Sequence, residues 1–270
     1  METKDKNISK KGFHLSAALV IVACFITACL IFIFVFGNSS NFVNNDPNNQ
    51  PLPGNLLGTI YKGGLIVPVI QTLLLTVLVL SVERWFAIKK AKGNGSLVNF
   101  VQNIKSALQS GDIEKAEKIC NDQKGSVANV VKSSLTKYKE MSENNELTKE
   151  QKIANIQKEV EEATSLELPS LEQNLGVVAT ITTLGTLMGL LGTVVGMIRS
   201  FAALANSGSP DSIALSTGIS EALINTAFGI ATGALAVISY NYFTSKIDSI
   251  TYCIDEVGFT VVQSYSAFKN

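Results

Sequence analysis

The chain has 270 residues, with 22 Lys and Arg against 22 Asp and Glu, so its formal net charge at neutral pH is zero. Zero net charge gives no support for nucleic-acid binding, because proteins of that class carry an excess of basic residues. Apolar residues make up 46% of the chain. They are concentrated in long segments, which disfavours an ordinary soluble domain.

Four segments are long enough and apolar enough to cross a bilayer, which takes about twenty residues. They are Leu15–Phe36, Gly63–Val82, Gly176–Ile198 and Ala222–Phe243. None alternates with a period of two, which disfavours a transmembrane barrel. The first segment could also be a secretory signal peptide, but its apolar stretch is long and its cleavage match at Gly37 is weak, so an uncleaved anchor is favoured.

Basic residues predict the orientation of these segments, because they collect on the cytoplasmic side. The loops Gly37–Gly58 and Ala205–Ser212 have neither Lys nor Arg and are predicted to lie outside, with both termini and Glu83–Glu172 in the cytoplasm. Lys62 and Arg199 oppose this orientation but are outnumbered. The basic clusters are Lys4, Lys6, Lys10 and Lys11 before the first segment, and Arg84, Lys89, Lys90 and Lys92 after the second.

The loop Gly37–Leu57 is rich in Asn, Pro, Ser and Gly and is predicted to be irregular. Arg84 and Trp85 have the pattern of an interfacial anchor. Gly93–Glu172 is predicted to form four short helices, starting with the apolar stripe Leu97–Leu108 and continuing from an N-cap at Asp112. The block has few large apolar residues, so we expect it to pack on extensions of the membrane helices. The tail is predicted to continue the last membrane helix.

Glycines interrupt the third and fourth apolar segments at helical spacing. Glycine every third or fourth residue lets another helix approach closely, so these faces are predicted to meet helices or a water-containing path rather than lipid. Tight packing alone would account for them. The candidate packing and assembly residues are Gly185, Gly189, Gly192 and Gly196 in the third segment, with Gly229 and Gly233 in the fourth.

Three polar side chains lie within or beside the same faces: Thr193, Thr226 and Glu221. A charge at mid-membrane costs about 3 kcal/mol on insertion scales, so Glu221 is predicted to face protein or water, or to reach the interface. Thr226 follows Glu221 by just over one turn, which favours a polar path. Each threonine hydroxyl could instead bond back to its own helix.

The sequence contains none of the HExxH, CxxC or GxSxG motifs of the common catalytic sites, so an enzyme is not predicted. His14 is the only histidine. The four cysteines fall in membrane segments or on the predicted cytoplasmic side, where disulfides are rare and where no further ligands suggest a metal site. We therefore expect no cofactor and no resident metal.

Two sequence stretches, GLLGTVVGMIRSFAAL (Gly189–Leu204) and ISEALINTAFGIATGALAVISYNYF (Ile219–Phe243), resemble the ExbB/TolQ/MotA proton-channel family, in its ExbB/TolQ branch. The stretch ALQSGDIEKAEKIC (Ala107–Cys120) is similar to the family's segment after its first helix. The resemblance covers about residues 63 to 255.

The resemblance implies an all-α polytopic membrane protein with three family transmembrane helices, one additional N-terminal transmembrane helix and a helical cytoplasmic domain into which long helices extend. It implies a homopentamer in the bacterial inner membrane whose last two spans line a pore. That pore would hold an ExbD/TolR-like one-span partner with an ionisable aspartate. Proton flow, rather than Na⁺ flow, would drive a TonB- or TolA-like protein. Thr193, Thr226 and Glu221 match the family's ion-path residues.

Two departures from the family stand in the membrane segments, where Thr186 and Leu235 replace family prolines. The additional first helix is expected outside the ring, because we find no small-residue face on it. A membrane scaffold without ion conduction and a small-solute carrier are the alternative functions. The predicted boundaries are 1–58 for anchor and outer loop, 59–92 for the second span, 93–172 for the cytoplasmic domain, 173–243 for the pore helices and 244–270 for the C-terminal helix.

Overall fold

A computed structural model of the chain describes residues 16–206 and 212–268. Lys4, Lys6, Lys10, Lys11, His14 and most of the predicted loop between the last two spans lie outside the described residues. The α-helices of the described part are α1 (Ala17–Ile31), α2 (Leu56–Lys62), α3 (Ile66–Lys92), α4 (Leu97–Gln109), α5 (Ile113–Gln123), α6 (Gly125–Glu143), α7 (Lys149–Glu172), α8 (Leu175–Asn206) and α9 (Ser212–Phe268).

Four helical segments of the described residues are long and apolar enough to cross a membrane, which confirms the four predicted spans. The protein is therefore an all-α polytopic membrane protein. These segments are Ala17–Phe36, Ile66–Gln109, Lys149–Ala202 and Leu215–Ala267. The first of them differs from expectation, because Val20, Cys24 and Ala28 form a buried stripe along α1. Two of these three side chains are small, so α1 does have a face suited to close packing.

The chain divides into two compact units, which are described separately. The membrane unit comprises Met1–Leu80 and Thr180–Ala236, and the second unit comprises Ser81–Ala179 and Val237–Asn270.

The loop that precedes α2 in the membrane unit is more ordered than its composition predicts. Phe42 and Pro51 pair in an isolated antiparallel bridge. The buried Asn41 side chain donates hydrogen bonds to the carbonyl oxygens of Val35 and Phe36 at 2.8 and 3.0 Å. Side-chain amides thus satisfy backbone groups that have no helix or sheet partner, which is why an Asn-rich loop can be compact.

The second unit is built on α4, α5, α6 and α7, and the four predicted helices of this block are confirmed. Their starts follow from local capping chemistry. Asp112 accepts a hydrogen bond from the Lys115 amide at 2.9 Å and caps α5. At the start of α7, Thr148 and Gln151 form a reciprocal capping box. Such caps satisfy amides that lack partners in the first turn.

The core of the second unit is shared between its short helices and the ends of the long ones, as predicted. Ile104, Leu108, Val131, Leu135 and Ile156 are buried in it. The long helices add a further set of buried side chains, which are Ile88, Leu175, Phe243, Ile247, Ile250, Ile254, Val257, Val261 and Tyr265. The Tyr265 hydroxyl donates a hydrogen bond to the Met141 carbonyl oxygen at 2.8 Å and fixes the end of α9.

Arg84 does not lie at the surface, as an interfacial anchor would, but is only 1% exposed within the second unit. Its guanidinium is paired with the neighbouring Glu83 carboxylate. It also donates hydrogen bonds to the carbonyl oxygens of Ser170 and Leu171, both at 3.1 Å. The terminal carbonyls of a helix lack intrahelical partners. Arg84 therefore caps the C-terminal end of α7, next to the turn that leads into α8.

Candidate functional site

The membrane parts of α8 and α9 touch along their glycines. A Cβ carbon at position 185 would lie 3.1 Å from the Gly233 nitrogen, and one at position 229 would lie 2.6 Å from both the Gly185 oxygen and the Gly189 Cα carbon. A Cβ at Gly233 would lie 2.8 Å from the Thr182 carbonyl oxygen. Backbone atoms cannot swing aside as a flexible side chain can, so no larger residue fits at these positions without moving a helix.

Gly192 and Gly196 continue this contact toward the predicted outer side. A Cβ carbon at Gly192 would overlap the side chain of Asn225, and one at Gly196 would lie 2.8 Å from the Ala222 Cβ. The close helix approach predicted from glycine spacing is therefore present, and the partner is α9 of the same chain. The same glycines could have packed against another subunit, since spacing alone does not say which helix covers a face.

Thr226 joins the two helices at the centre of the glycine contact. Its hydroxyl donates a hydrogen bond to the Gly189 carbonyl oxygen of α8 at 2.9 Å, and the side chain is half-buried. A hydroxyl that donates one bond keeps two lone pairs with which it can accept further bonds. Thr226 can therefore link the helices and still accept a hydrogen bond from water or a protonated carboxyl group.

Thr193 has a different environment. Its hydroxyl donates to the Leu190 carbonyl oxygen of its own helix at 2.6 Å, one of the two arrangements that the sequence left open. The same side chain lines an open groove on α8, whose other lining residues are all apolar: Val194, Met197, Ile198 and Phe201. It is thus a single hydroxyl on an apolar face. The structure does not bring Thr193 and Thr226 into a mutual hydrogen bond among those it describes.

Glu221 lies near the start of the described part of α9 and is half-buried. Lys62, at the end of α2, and Arg199, on α8, are the two cations that act on its carboxylate electrostatically. An Arg199 nitrogen reaches to 2.9 Å from the place where Gly64 would carry a Cβ. The Lys62 ammonium donates a hydrogen bond to the Asn48 carbonyl oxygen at 3.1 Å. Lys62 and Arg199 thus both lie beside the corner between α2 and α3, and both act electrostatically on the Glu221 carboxylate.

Asn225 is a residue that the sequence reasoning missed. It is only 3% exposed, and its side-chain amide donates a hydrogen bond to the Gly63 carbonyl oxygen at 3.0 Å. The available signal was an amide inside an otherwise apolar segment, one position before Thr226. A buried amide at membrane depth must find hydrogen-bond partners, so it could have been assigned an interhelical contact, although not a specific one.

Within the described residues, no group of three or more His, Cys, Asp or Glu side chains is placed to hold a metal ion. The polar groups singled out on α8 and α9 are the hydroxyls of Thr193 and Thr226, the amide of Asn225 and the carboxylate of Glu221. Such groups can orient water or exchange hydrogen bonds with a protonated partner, and polar groups at membrane depth commonly mark ion pathways.

Comparison with known proteins bears directly on these helices. The model of the MotA/TolQ/ExbB proton channel family matches residues 123–256. The Tol-Pal system protein TolQ of Pseudomonas aeruginosa is 26% identical over 188 residues, which are 67% of this chain and 81% of that protein. TolQ of Haemophilus influenzae is 34% identical over 110 residues, or 39% of this chain and 47% of the relative.

The biopolymer transport protein ExbB of Salmonella typhimurium is 34% identical over 87 residues, which are 32% of this chain and 36% of that protein. This chain thus spans less than two thirds of the Haemophilus and Salmonella relatives. The family match includes all of α8 and most of α9, the helices that carry the glycine contact, Thr193 and Thr226. The chain belongs to the MotA/TolQ/ExbB proton channel family, in its ExbB/TolQ branch.

Proposed function

We propose that the chain is the channel subunit of an energy-transducing complex in a bacterial inner membrane. The complex would use proton flow to drive a TonB- or TolA-like protein in outer-membrane transport or envelope maintenance. Membership of the proton channel family supports the general role. The relatives are named as a TolQ protein of a Tol-Pal system and as ExbB biopolymer transport proteins, and these names support a complex that drives a TonB- or TolA-like protein.

The hydrogen bond between Thr226 and Gly189 is the observation that carries this proposal. It holds a hydroxyl in a fixed orientation inside the membrane unit while leaving its lone pairs available. A carboxyl group on a one-span partner could donate a hydrogen bond to that oxygen while it is protonated, and it would lose this bond when it ionises. Such a difference in contact between two protonation states is what a proton-driven motion requires.

Thr193 and its groove support the presence of a partner helix. The apolar side chains that line this groove leave one hydroxyl on a face of α8 that is open in the single chain. An ExbD/TolR-like transmembrane helix would cover apolar surface there and meet the hydroxyl. The ring would be a homopentamer, with both termini of this chain in the cytoplasm and with H⁺ rather than Na⁺ as the ion.

A membrane scaffold without conduction is the second candidate. Helix packing within one chain is enough to account for the glycine contacts and for the Thr226 hydrogen bond, and this favours a scaffold. The two candidates differ in what binds to the chain. A channel subunit needs a partner that brings an ionisable group into the membrane, whereas a scaffold does not.

Purification of the native complex from its own membranes tests the proposal. The complex would be extracted in a mild detergent through a tag on this chain, and the co-purifying proteins identified by mass spectrometry. We expect a one-span protein with a carboxylate inside its apolar segment, in a fixed ratio to this chain. Recovery of this chain with no such protein, from the membranes of its native cells, would favour the scaffold.

A further inference from the structure

Asn225 is a buried polar residue, 3% exposed and one position before Thr226, that the proposed function does not use. Its amide nitrogen donates to the Gly63 carbonyl oxygen, and its side-chain oxygen is buried without a hydrogen-bond partner among the described groups. A buried polar side chain lowers stability unless hydrogen bonds compensate for its lost hydration, and here only the amide nitrogen is bonded. Leucine at this position would avoid that cost, so the presence of an amide needs a structural explanation.

The contacts of Asn225 connect three parts of the membrane unit. Through Gly63 it is bonded to the corner between α2 and α3. Its side chain occupies the space that any larger residue at Gly192 of α8 would need. Asn225 itself belongs to α9. One amide on α9 thus contacts both α8 and the α2–α3 corner.

The two candidate ion-path residues of α9 depend on the rotation of that helix about its own axis. Thr226 is the next residue along the helix, and Glu221 lies four residues earlier, on the same side of the helix as Asn225. The bond from Thr226 to Gly189 closes only if α9 presents this side chain to α8. Rotation by one residue position, about 100°, would turn both groups away from their present neighbours.

We propose that Asn225 is a positioning residue for the ion path: its hydrogen bond to Gly63 holds α9 in the orientation that places Thr226 on the path. This inference rests on the proposed channel function. It assigns no ion contact to Asn225 itself. The bond to Gly63, rather than the volume of the side chain, is the feature that matters, and the test separates the two.

Two variants divide hydrogen bonding from packing. Asn225→Leu keeps an apolar side chain of similar size and removes the donor. Asn225→Asp keeps the shape, but its carboxyl group can donate to the Gly63 oxygen only while it is protonated. Thr232→Val is the matched control, because Thr232 is buried on the same helix and its hydroxyl donates within α9, to the Phe228 carbonyl oxygen at 2.8 Å.

The measurement is proton flux into liposomes that contain the assembled complex with its co-purified partner, followed with an internal pH-sensitive dye at several external pH values. The proton flux of each variant is divided by the flux of the native complex at the same pH. The ratio corrects for the charged groups around this corner, which are Lys62 on α2, Arg199 on α8 and Glu221 on α9. Assembly is checked by size-exclusion chromatography.

We expect Asn225→Leu to reduce flux roughly tenfold at every pH, the size typical of leaving a buried acceptor without its donor. Asn225→Asp should conduct like the native complex at low pH and fall to the level of Asn225→Leu as pH rises, while Thr232→Val stays native-like. If Asn225→Leu does not assemble, the pH profile of Asn225→Asp decides alone.

Equal loss in Asn225→Asp at every pH, or native flux in Asn225→Leu, would overturn the positioning role while leaving the channel function intact. A native complex that conducts no protons would overturn the proposed function, and this inference with it.

Discussion

Gly229 lies against Gly189 so closely that a Cβ carbon at position 229 would be 2.6 Å from the Gly189 Cα carbon. Gly229→Ala should therefore lower the free energy of unfolding by about 1–3 kcal/mol, because the obstructing atoms belong to the backbone of α8. Thermal unfolding of the purified protein in detergent measures the change. Gly176→Ala, also in α8, is the control, since a Cβ there would meet nothing within 4 Å. Equal stability of the two variants would contradict the close approach.

Arg84→Met should be among the most destabilising changes in the second unit. It removes the charged partner of the Glu83 carboxylate and the side-chain donor to the carbonyl oxygens of Ser170 and Leu171. Breaking a buried pair by removing one partner typically costs about 3–5 kcal/mol. Arg84→Lys keeps the charge but not the fork of donors, so we expect an intermediate loss.

Lys90→Met is the control for Arg84, because Lys90 is an exposed cation on the same helix. Denaturant unfolding followed by circular dichroism compares the three variants. If Arg84→Met and Lys90→Met unfold at the same denaturant concentration, Arg84 does not stabilise the end of α7.

The Cys120 thiol should react slowly with alkylating reagents in the folded protein. Burial raises the pKa of this thiol from the ordinary value of 9.0 to about 12, and it is the thiolate that attacks an alkylating reagent. We expect Cys120 to resist maleimide at pH 7 to 9 in the folded protein, while the partly exposed Cys253 reacts, and both to react in denaturant. Alkylation of Cys120 as fast as Cys253 in the folded state would refute its burial.

The same shift has a consequence for stability. A pKa that is higher in the folded state than in the unfolded state means that the folded state binds the proton more tightly. The contribution of Cys120 is therefore complete below pH 9 and is lost as pH rises from about 9 toward about 12. The stability of Cys120→Ala should fall less steeply over this interval. Parallel pH dependence of the two proteins would contradict the assignment.

Glu221→Gln keeps the size of the side chain and removes its charge beside Lys62 and Arg199. If Glu221 concentrates cations at the outer entrance of the proposed pore, the variant should assemble normally and lose proton flux. The loss should be largest at low proton concentration. If it instead bridges to a neighbouring subunit, the ring should weaken wherever the carboxylate is ionised. Native assembly with native flux would rule out both roles. Glu146→Gln, an exposed residue of the second unit, is the control.

Periodicity predicted much of the fold from sequence. Apolar runs located the four spans, and the stripe from Leu97 to Leu108 and the cap at Asp112 located α4 and the start of α5. Such signals are local, because each depends on residues within a few turns of one helix. The partner that covers a face is not a local property. Glycine spacing therefore predicted a close contact, but not that α9 of the same chain makes it.

Arg84 and Asn225 show the same limit for polar residues. A basic residue at the end of a span usually lies in the interface, and only the fold shows that Arg84 is buried against the end of α7. Asn225 stands in an apolar run, but its acceptor, Gly63, lies far away in the sequence. Their polar character within apolar faces indicated Thr193, Thr226 and Glu221 as candidates, the resemblance to a known family indicated the same three, and their roles stay predictions.

The most direct test of the proposed channel is proton flux through liposomes that contain the complex with Thr226→Val. Valine keeps nearly the same shape and removes the hydroxyl that bonds to Gly189. We expect a complex that assembles like the native one but conducts few protons, whereas Thr232→Val, which removes a buried hydroxyl from the same helix, should conduct normally. Native flux through an assembled Thr226→Val complex would contradict the proposed role of Thr226 in the channel.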